Sequence, residues 1–167
     1  GNEIAIISDT SIDTSFLKAL DENTTGIINA SSVNTLTGSA YDINTTLSSN
    51  GISNLGNQSI TISDTSIDAS LLKALDENTT GIINASSVNT LTGSASDINT
   101  ILSSNGISNL GNQSITITDT SIDASLLKAL DENTNIIING NSASTLTGTT
   151  SDLITVYESH GISGLGN

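Results

Sequence analysis

The chain has no cysteine and no tryptophan, and only two tyrosines and one phenylalanine among its 167 residues. Without cysteine there is no disulfide framework, no thiolate zinc site and no cysteine nucleophile. That absence is compatible with an extracellular bacterial protein. An aromatic content of 2% leaves few of the ring platforms that glycan sites use. Positive charge is equally scarce: three lysines stand against 17 acids, for a net charge of −14. Such a chain is repelled by phosphate backbones and anionic lipid heads, which argues against nucleic acid as a partner and against a membrane-surface role. No apolar run approaches the length of a transmembrane span, so membrane insertion is not expected. The N-terminus also lacks the charged and apolar regions of a signal peptide. "GN" stands at both ends, so the chain reads as a fragment of a longer array.

What is present is repetition. Residues 1–55, 56–110 and 111–165 align without gaps; the first two copies differ at 8 of 55 positions, the second and third at 16. A fixed period of this length points to a solenoid or linear array. Hydrophobic residues make up 35% of the chain and are nearly all aliphatic, enough for a narrow core built from stacked rungs. Their regular placement separates the chain from a disordered Ser/Thr/Asn tract.

A second periodicity lies inside the first. "DASLLKALDENTTGII" (residues 68–83) superposes on "SASDINTILSSNGIS" (residues 94–108) with one gap, which places Leu72 and Leu75 on Ile98 and Ile101 as one apolar helix face. Each 55-residue copy is therefore expected to hold two coils of about 25 and 30 residues. A coil reads as a short helix capped at its N-terminus by Asp68 or Ser94 and ended by a left-handed Gly81 or Gly106. A short extended "GIIN" or "GISN" follows, then a corner and a second strand. In that strand, "SITIS" alternates Ile60 and Ile62 inward with Ser59, Thr61 and Ser63 outward. The predicted fold is an α/β solenoid of three-sided coils with short parallel strands and one short helix per coil. It forms a single domain of three tandem repeats at 1–55, 56–110 and 111–167. The recurring "GISNLGN" then serves as a corner. Asn29, Asn54, Asn84, Asn109 and Asn139 fall at equivalent coil positions, with amides able to bond along the array, and Gly164 breaks that series.

Catalytic residues are not apparent, and no enzyme activity is expected. His160, the single histidine, occupies the place of Asn50 and Asn105, and no GxSxG elbow, phosphate loop or histidine pair accompanies it. "DENT" at Asp21, Asp76 and Asp131 reads as a solvated helix end. Lys18, Lys73 and Lys128 stand four residues before Glu22, Glu77 and Glu132, the spacing of a helix-surface pair. The "DTSID" loops offer Asp64, Asp68, Asp119 and Asp123 as candidate calcium ligands. Turn and cap roles account for the same four residues, and no cofactor is otherwise implied. Ile4 and Ile6 replace the outward Ser59 and Thr61 of the next copy, so the first strand carries an apolar outer face. With coil ends exposed, head-to-tail self-association is expected beside contact with neighbouring repeats.

The motif set "ASxVxTLTGSASDI…GISxLGN", carried for example by residues 85–112, resembles tandem repeats of very large secreted or surface proteins of cyanobacteria and other aquatic bacteria. The coil pattern also resembles the three-sided solenoid nicknamed the Toblerone fold. The resemblance implies a non-catalytic spacer or scaffold at the cell surface or outside the cell. Some such proteins carry calcium-binding nonapeptides elsewhere; none stands here, so calcium dependence does not transfer. The second reading is a binding module that presents a polar Ser/Thr/Asn sheet face to a glycan or protein partner.

Overall fold

The computed structural model describes residues 1–165 and builds an α/β, solenoid-like repeat fold in which all strand pairing is parallel. The first copy supplies β1 (Ala5–Ile6), β2 (Ser11–Asp13), α1 (Thr14–Asn23), β3 (Ile28–Asn29), β4 (Thr35–Gly38), α2 (Ala40–Leu47) and β5 (Ile52–Ser53). The second supplies β6 (Ser59–Ile62), β7 (Ser66–Asp68), α3 (Ala69–Glu77), β8 (Ile83–Asn84), β9 (Thr90–Gly93), α4 (Ala95–Leu102) and β10 (Ile107–Ser108). The third supplies β11 (Ser114–Ile117), β12 (Ser121–Asp123), α5 (Ala124–Glu132), β13 (Ile138–Asn139), β14 (Thr145–Thr147), α6 (Thr150–Glu158) and β15 (Ile162–Ser163).

Two compact units divide these elements. One holds Gly1–Asp64, Ala74–Ser87 and Gly106–Asn109; the other holds Thr65–Lys73, Val88–Asn105 and the chain from Leu110 onward. The first unit contains a three-stranded sheet ordered β1-β3-β5 and a five-stranded sheet ordered β10-β8-β6-β4-β2. The second contains a five-stranded sheet ordered β15-β13-β11-β9-β7 and the pair β12-β14.

Strand partners give the true coil length. Ser11 pairs with Thr35 and Thr35 with Ser59, two steps of 24 residues. A step of seven then leads from Ser59 to Ser66, the counterpart of Ser11 one repeat later. The expected coils of 25 and 30 residues are thus coils of 24 and 24 plus a seven-residue step. The difference lies in "SID", which the sequence places in a loop and the structure makes a strand. Its three residues are too few to show alternation, yet Ser66, Ile67 and Asp68 pair with Thr90, Leu91 and Thr92.

The step also sets which strands share a sheet. Each copy places its "SITI", "IN" and "IS" strands in one sheet and its "SID" and "TLTG" strands in the next. β4 of copy one therefore pairs with β6 of copy two, and β9 of copy two with β11 of copy three, each over four residues. These are the joints between repeats.

The core is the expected aliphatic ladder. Leu36, Ile60 and Ile83 lie in register on adjacent strands and are 0–1% exposed. Leu91, Ile115 and Ile138 repeat the arrangement in the second unit. Leu72, Leu75, Ile98 and Ile101 are buried as the helix pattern requires. Each such side chain contributes about 1.5–3 kcal/mol.

The glycines behave differently from expectation. Gly51, Gly81 and Gly106 are not left-handed; the C-caps of α2 and α4 are Ser48 and Ser103, both in right-handed helical conformation. Left-handed residues instead occur inside the heptapeptide at Asn54 (φ 65°) and Gly56 (φ 118°), and again at Asn109 and Gly111, beside those at the ends of the "TLTG" strands. The heptapeptide is a corner, but its Asn and second Gly make it one.

Thr46 occupies the place that Ile101 fills one repeat later. It is 3% exposed, and its hydroxyl has no hydrogen-bond partner. Replacing a buried, unpartnered hydroxyl by a methyl removes a desolvation cost of about 1 kcal/mol. Thr46→Val is expected to raise the urea midpoint without changing the denaturant slope; a lower midpoint would mean the hydroxyl is bonded in solution.

Candidate functional site

The polar residues that recur in every copy bond both within their own coil and to the adjacent one. Ser39 caps α2 by accepting from the Asp42 amide at 3.1 Å, while its hydroxyl donates to Asp42 Oδ2 at 2.8 Å. Ser94 with Asp97 and Thr149 with Asp152 repeat this reciprocal cap. α1 and α5 are capped by Asp13 and Asp123, and Asp68 likewise accepts the Ser70 amide at 2.9 Å.

Asp64 has a role its sequence position did not reveal. Its Oδ2 accepts the Ala40 amide at 2.7 Å, so it caps α2, which lies 24 residues earlier in the chain. Asp119 does the same for Ala95 on α4, also at 2.7 Å. The four calcium candidates therefore all have carboxylate oxygens engaged by helix-terminal amides. Among the described residues no group of three His, Cys, Asp or Glu is placed to hold a metal ion.

The lysines correct another expectation. Lys18 meets Asp42 at 3.2 Å, Lys73 meets Asp97 at 3.0 Å and Lys128 approaches Asp152 at 3.6 Å. The partner is the first-turn aspartate of the following helix, not the glutamate four residues on. That aspartate is already fixed by its capping hydroxyl and sits at the positive end of a helix, so it is the better anion to meet. The side chains are 22–41% exposed, and such pairs contribute at most about 1 kcal/mol each.

"DENT" divides in two. Asp21 accepts from the Ser49 hydroxyl and Asp131 from the Ser159 hydroxyl, both at 2.7 Å from the next coil, whereas Glu22, Glu77 and Glu132 are exposed. Only the glutamates fit the solvated-face reading.

Gln58 went unnoticed in the sequence. It is 4% exposed, donates to the carbonyls of Asn54 and Val33, and accepts the amides of Gly56 and Asn57. Gln113 accepts the amides of Gly111 and Asn112 in the same way. The only signal was a glutamine directly after the "GN" that opens the second and third copies.

The asparagines form pairs, not a continuous series. Asn54 donates to Asn29 and Asn109 to Asn84, each at 2.8 Å. Asn29, Asn84 and Asn139 lie in strands, and only Asn54 and Asn109 occupy the left-handed corner. Gly164 stands where Asn139 would find its partner.

Two kinds of surface remain. Across the five-stranded sheet of the first unit, Asp13, Thr37, Thr61, Asn84 and Ser108 lie in one register row. Thr37 sits beside Thr61, so the "TLTG" strand continues the polar row. Exposed apolar side chains are Ile6 (72%) on β1, and Ile4 (69%), Ile27 and Ile82 just ahead of β1, β3 and β8, with Phe16 and Tyr41 on α1 and α2. In the second unit Ile137, Leu126, Ile154 and Tyr157 are exposed. His160 is exposed in the turn after α6.

A family described as "ubiquitin binding region" matches the chain three times, at residues 4–23, 60–78 and 114–133. The matched segments run from the "SITI"-type strand through the following helix and recur once per copy, which marks a tandem-repeat protein. They total 59 of the 167 residues, so the likeness is local to those strand–helix segments. Neither curated proteins nor solved structures show a match to the chain. Within the matched helices Leu17, Leu72 and Leu127 are fully buried, while Phe16 and Leu126 are exposed.

Asp64→Ala removes the acceptor of the Ala40 amide while leaving the Ser39 cap of α2 in place, and is expected to cost about 1 kcal/mol by chemical denaturation. A change near zero would mean that water replaces the carboxylate.

Acid should act through the same frame. The Ser39 hydroxyl and then Lys18 hold the Asp42 carboxyl below the usual carboxylate range, and Lys73 and then Ser94 do so for Asp97. The Ser125 hydroxyl and amide lower Asp123. Folded pKa values below the unfolded ones mean fewer bound protons when folded. The stability is therefore present above about pH 4 and lost as pH falls through the folded values. Tm should hold from neutral pH to about 4 and fall below it; an acid-independent Tm would show that these carboxylates add nothing.

Proposed function

We propose that the chain is a non-catalytic structural segment, a spacer or scaffold in a large secreted or surface protein, of the kind its motif set resembles in aquatic bacteria. One observation carries the reading: residues repeated at 55-residue spacing, namely Asp64, Asp119, the three lysines and the paired asparagines, bond to the neighbouring coil. Their repetition serves coil stacking, and a single-copy site would stand out from it. Arrays of two, three and four copies should then gain unfolding free energy by a near-constant increment per copy, with the same Tm in EDTA as in millimolar calcium. A calcium-raised Tm would instead make the array a calcium-stiffened rod.

The second reading is a protein-binding module. It is favoured by the three matches to the ubiquitin binding region and by the exposure of Phe16 and Leu126 on matched helices. The burial of Leu17, Leu72 and Leu127 weighs against it, because these side chains are committed to the core. Titration with ubiquitin, followed by NMR, separates the two. Saturable shifts on α1, α3 and α5 would replace the spacer reading, and an unperturbed spectrum supports it.

A further inference from the structure

Asparagine followed by glycine is the dipeptide in which a chain most readily reacts with itself, because glycine has no side chain to shield its amide nitrogen from the asparagine Cγ. The sequence holds three such pairs, at Asn50 and Gly51, Asn105 and Gly106, and Asn139 and Gly140. The structure treats them differently. Asn50 and Asn105 are exposed in the turns that join α2 to β5 and α4 to β10. The Gly51 amide is held at 3.0 Å by the Ser49 hydroxyl, a rotor that can turn away. Asn139 instead ends β13, and its Oδ1 accepts the Asn141 amide. Gly140 is buried and donates to the main-chain carbonyl of Ser163 at 2.8 Å.

At the turns the glycine is fixed by the fold. A Cβ at Gly51 would run into the Asp21 carboxylate, and one at Gly161, the same place in the third copy, into that of Asp131. The carbonyl of this glycine also takes an amide from the neighbouring coil: Gly51 from Ile28 and Gly106 from Ile83, both at 2.8 Å, and Gly161 from Ile138 at 2.7 Å. Only the residue before the glycine is free to vary. In the third copy it is His160, which has no carboxamide to react.

We infer that Asn50 and Asn105 are self-modifying sites, each cyclising onto the amide of the glycine that follows. The Gly51 nitrogen attacks Cγ of Asn50 and gives up its proton; the bond from Cγ to Nδ2 breaks, and ammonia leaves carrying that proton. Water then opens the succinimide at either carbonyl. One opening yields aspartate; the other yields isoaspartate, in which the main chain runs through Cβ. Each event adds negative charge to a chain already at −14. Isoaspartate also lengthens the main chain directly ahead of the carbonyl that joins β5 to β3, or β10 to β8. The first two copies therefore loosen with age at this turn, and the third does not.

Peptide mapping by mass spectrometry, on the full chain held at mildly alkaline pH, tests this. In the folded protein Asn50 and Asn105 should exchange NH2 for OH about tenfold faster than Asn139, a barrier difference of about 1.4 kcal/mol. In urea, with the fold gone, the three rates should converge. The aged protein should melt at a lower Tm than the fresh one. The Asn50→His, Asn105→His double variant carries the third copy's own residue and should keep its Tm over the same period. Equal rates at all three pairs in the folded protein overturn the proposal, as does an Asn50 that persists while the urea sample converts. A Tm that falls as far in the double variant as in the wild type overturns the loosening.

Discussion

The return of each strand to its neighbour after 23 or 24 residues is the constraint on which the rest depends. Parallel strands cannot be joined by a tight turn; the connection must leave the sheet and come back. Here it does so through one helix of eight to ten residues and a second short strand. The coil has no slack, because Ile60 must reach Ile83 and Ile83 must reach Ile107 with side chains on the inner face. A one-residue slip would turn that ladder outward. Every local choice, from the Ser39 cap to the left-handed Asn54, keeps the count.

The polar network reads as enforcement of that count. Apolar ladders of Ile and Leu are nearly interchangeable between rungs and specify register weakly by themselves. Bonds such as Asp64 to Ala40, Lys18 to Asp42 and Ser49 to Asp21 span 24 to 28 residues and can form in one alignment only. In a chain with three cations, placing each against the aspartate of the next helix also relieves repulsion where the helices pack.

Much of this was legible in the sequence. The exact repeat announced the array, the spacing of Leu72 and Leu75 announced the helix face, and the alternation of "SITIS" announced the strand. What stayed hidden was non-local. "SID" is too short to display a period, and its strand exists only because "TLTG" lies beside it. Lys18 had a local partner at the favoured spacing in Glu22, and nothing nearby indicated the aspartate that a capping serine holds ready one coil later. The ring of bonds around Gln58 depends on a corner whose φ values no composition rule supplies. Position within a coil was readable; position between coils was not.

The direction of these bonds has a consequence for how the protein is made. Beyond their own serine caps, α2 takes a second acceptor from Asp64 and α4 from Asp119, and Lys18 and Lys73 wait for Asp42 and Asp97; each of these partners is supplied by chain that follows. A ribosome releases the earlier residues first. Each coil therefore leaves the tunnel incomplete and is locked only when its successor arrives, so the growing end is always the loosest part. Synthesis itself becomes a zipper that closes from behind, and a stalled chain carries one unlocked coil, at its newest end.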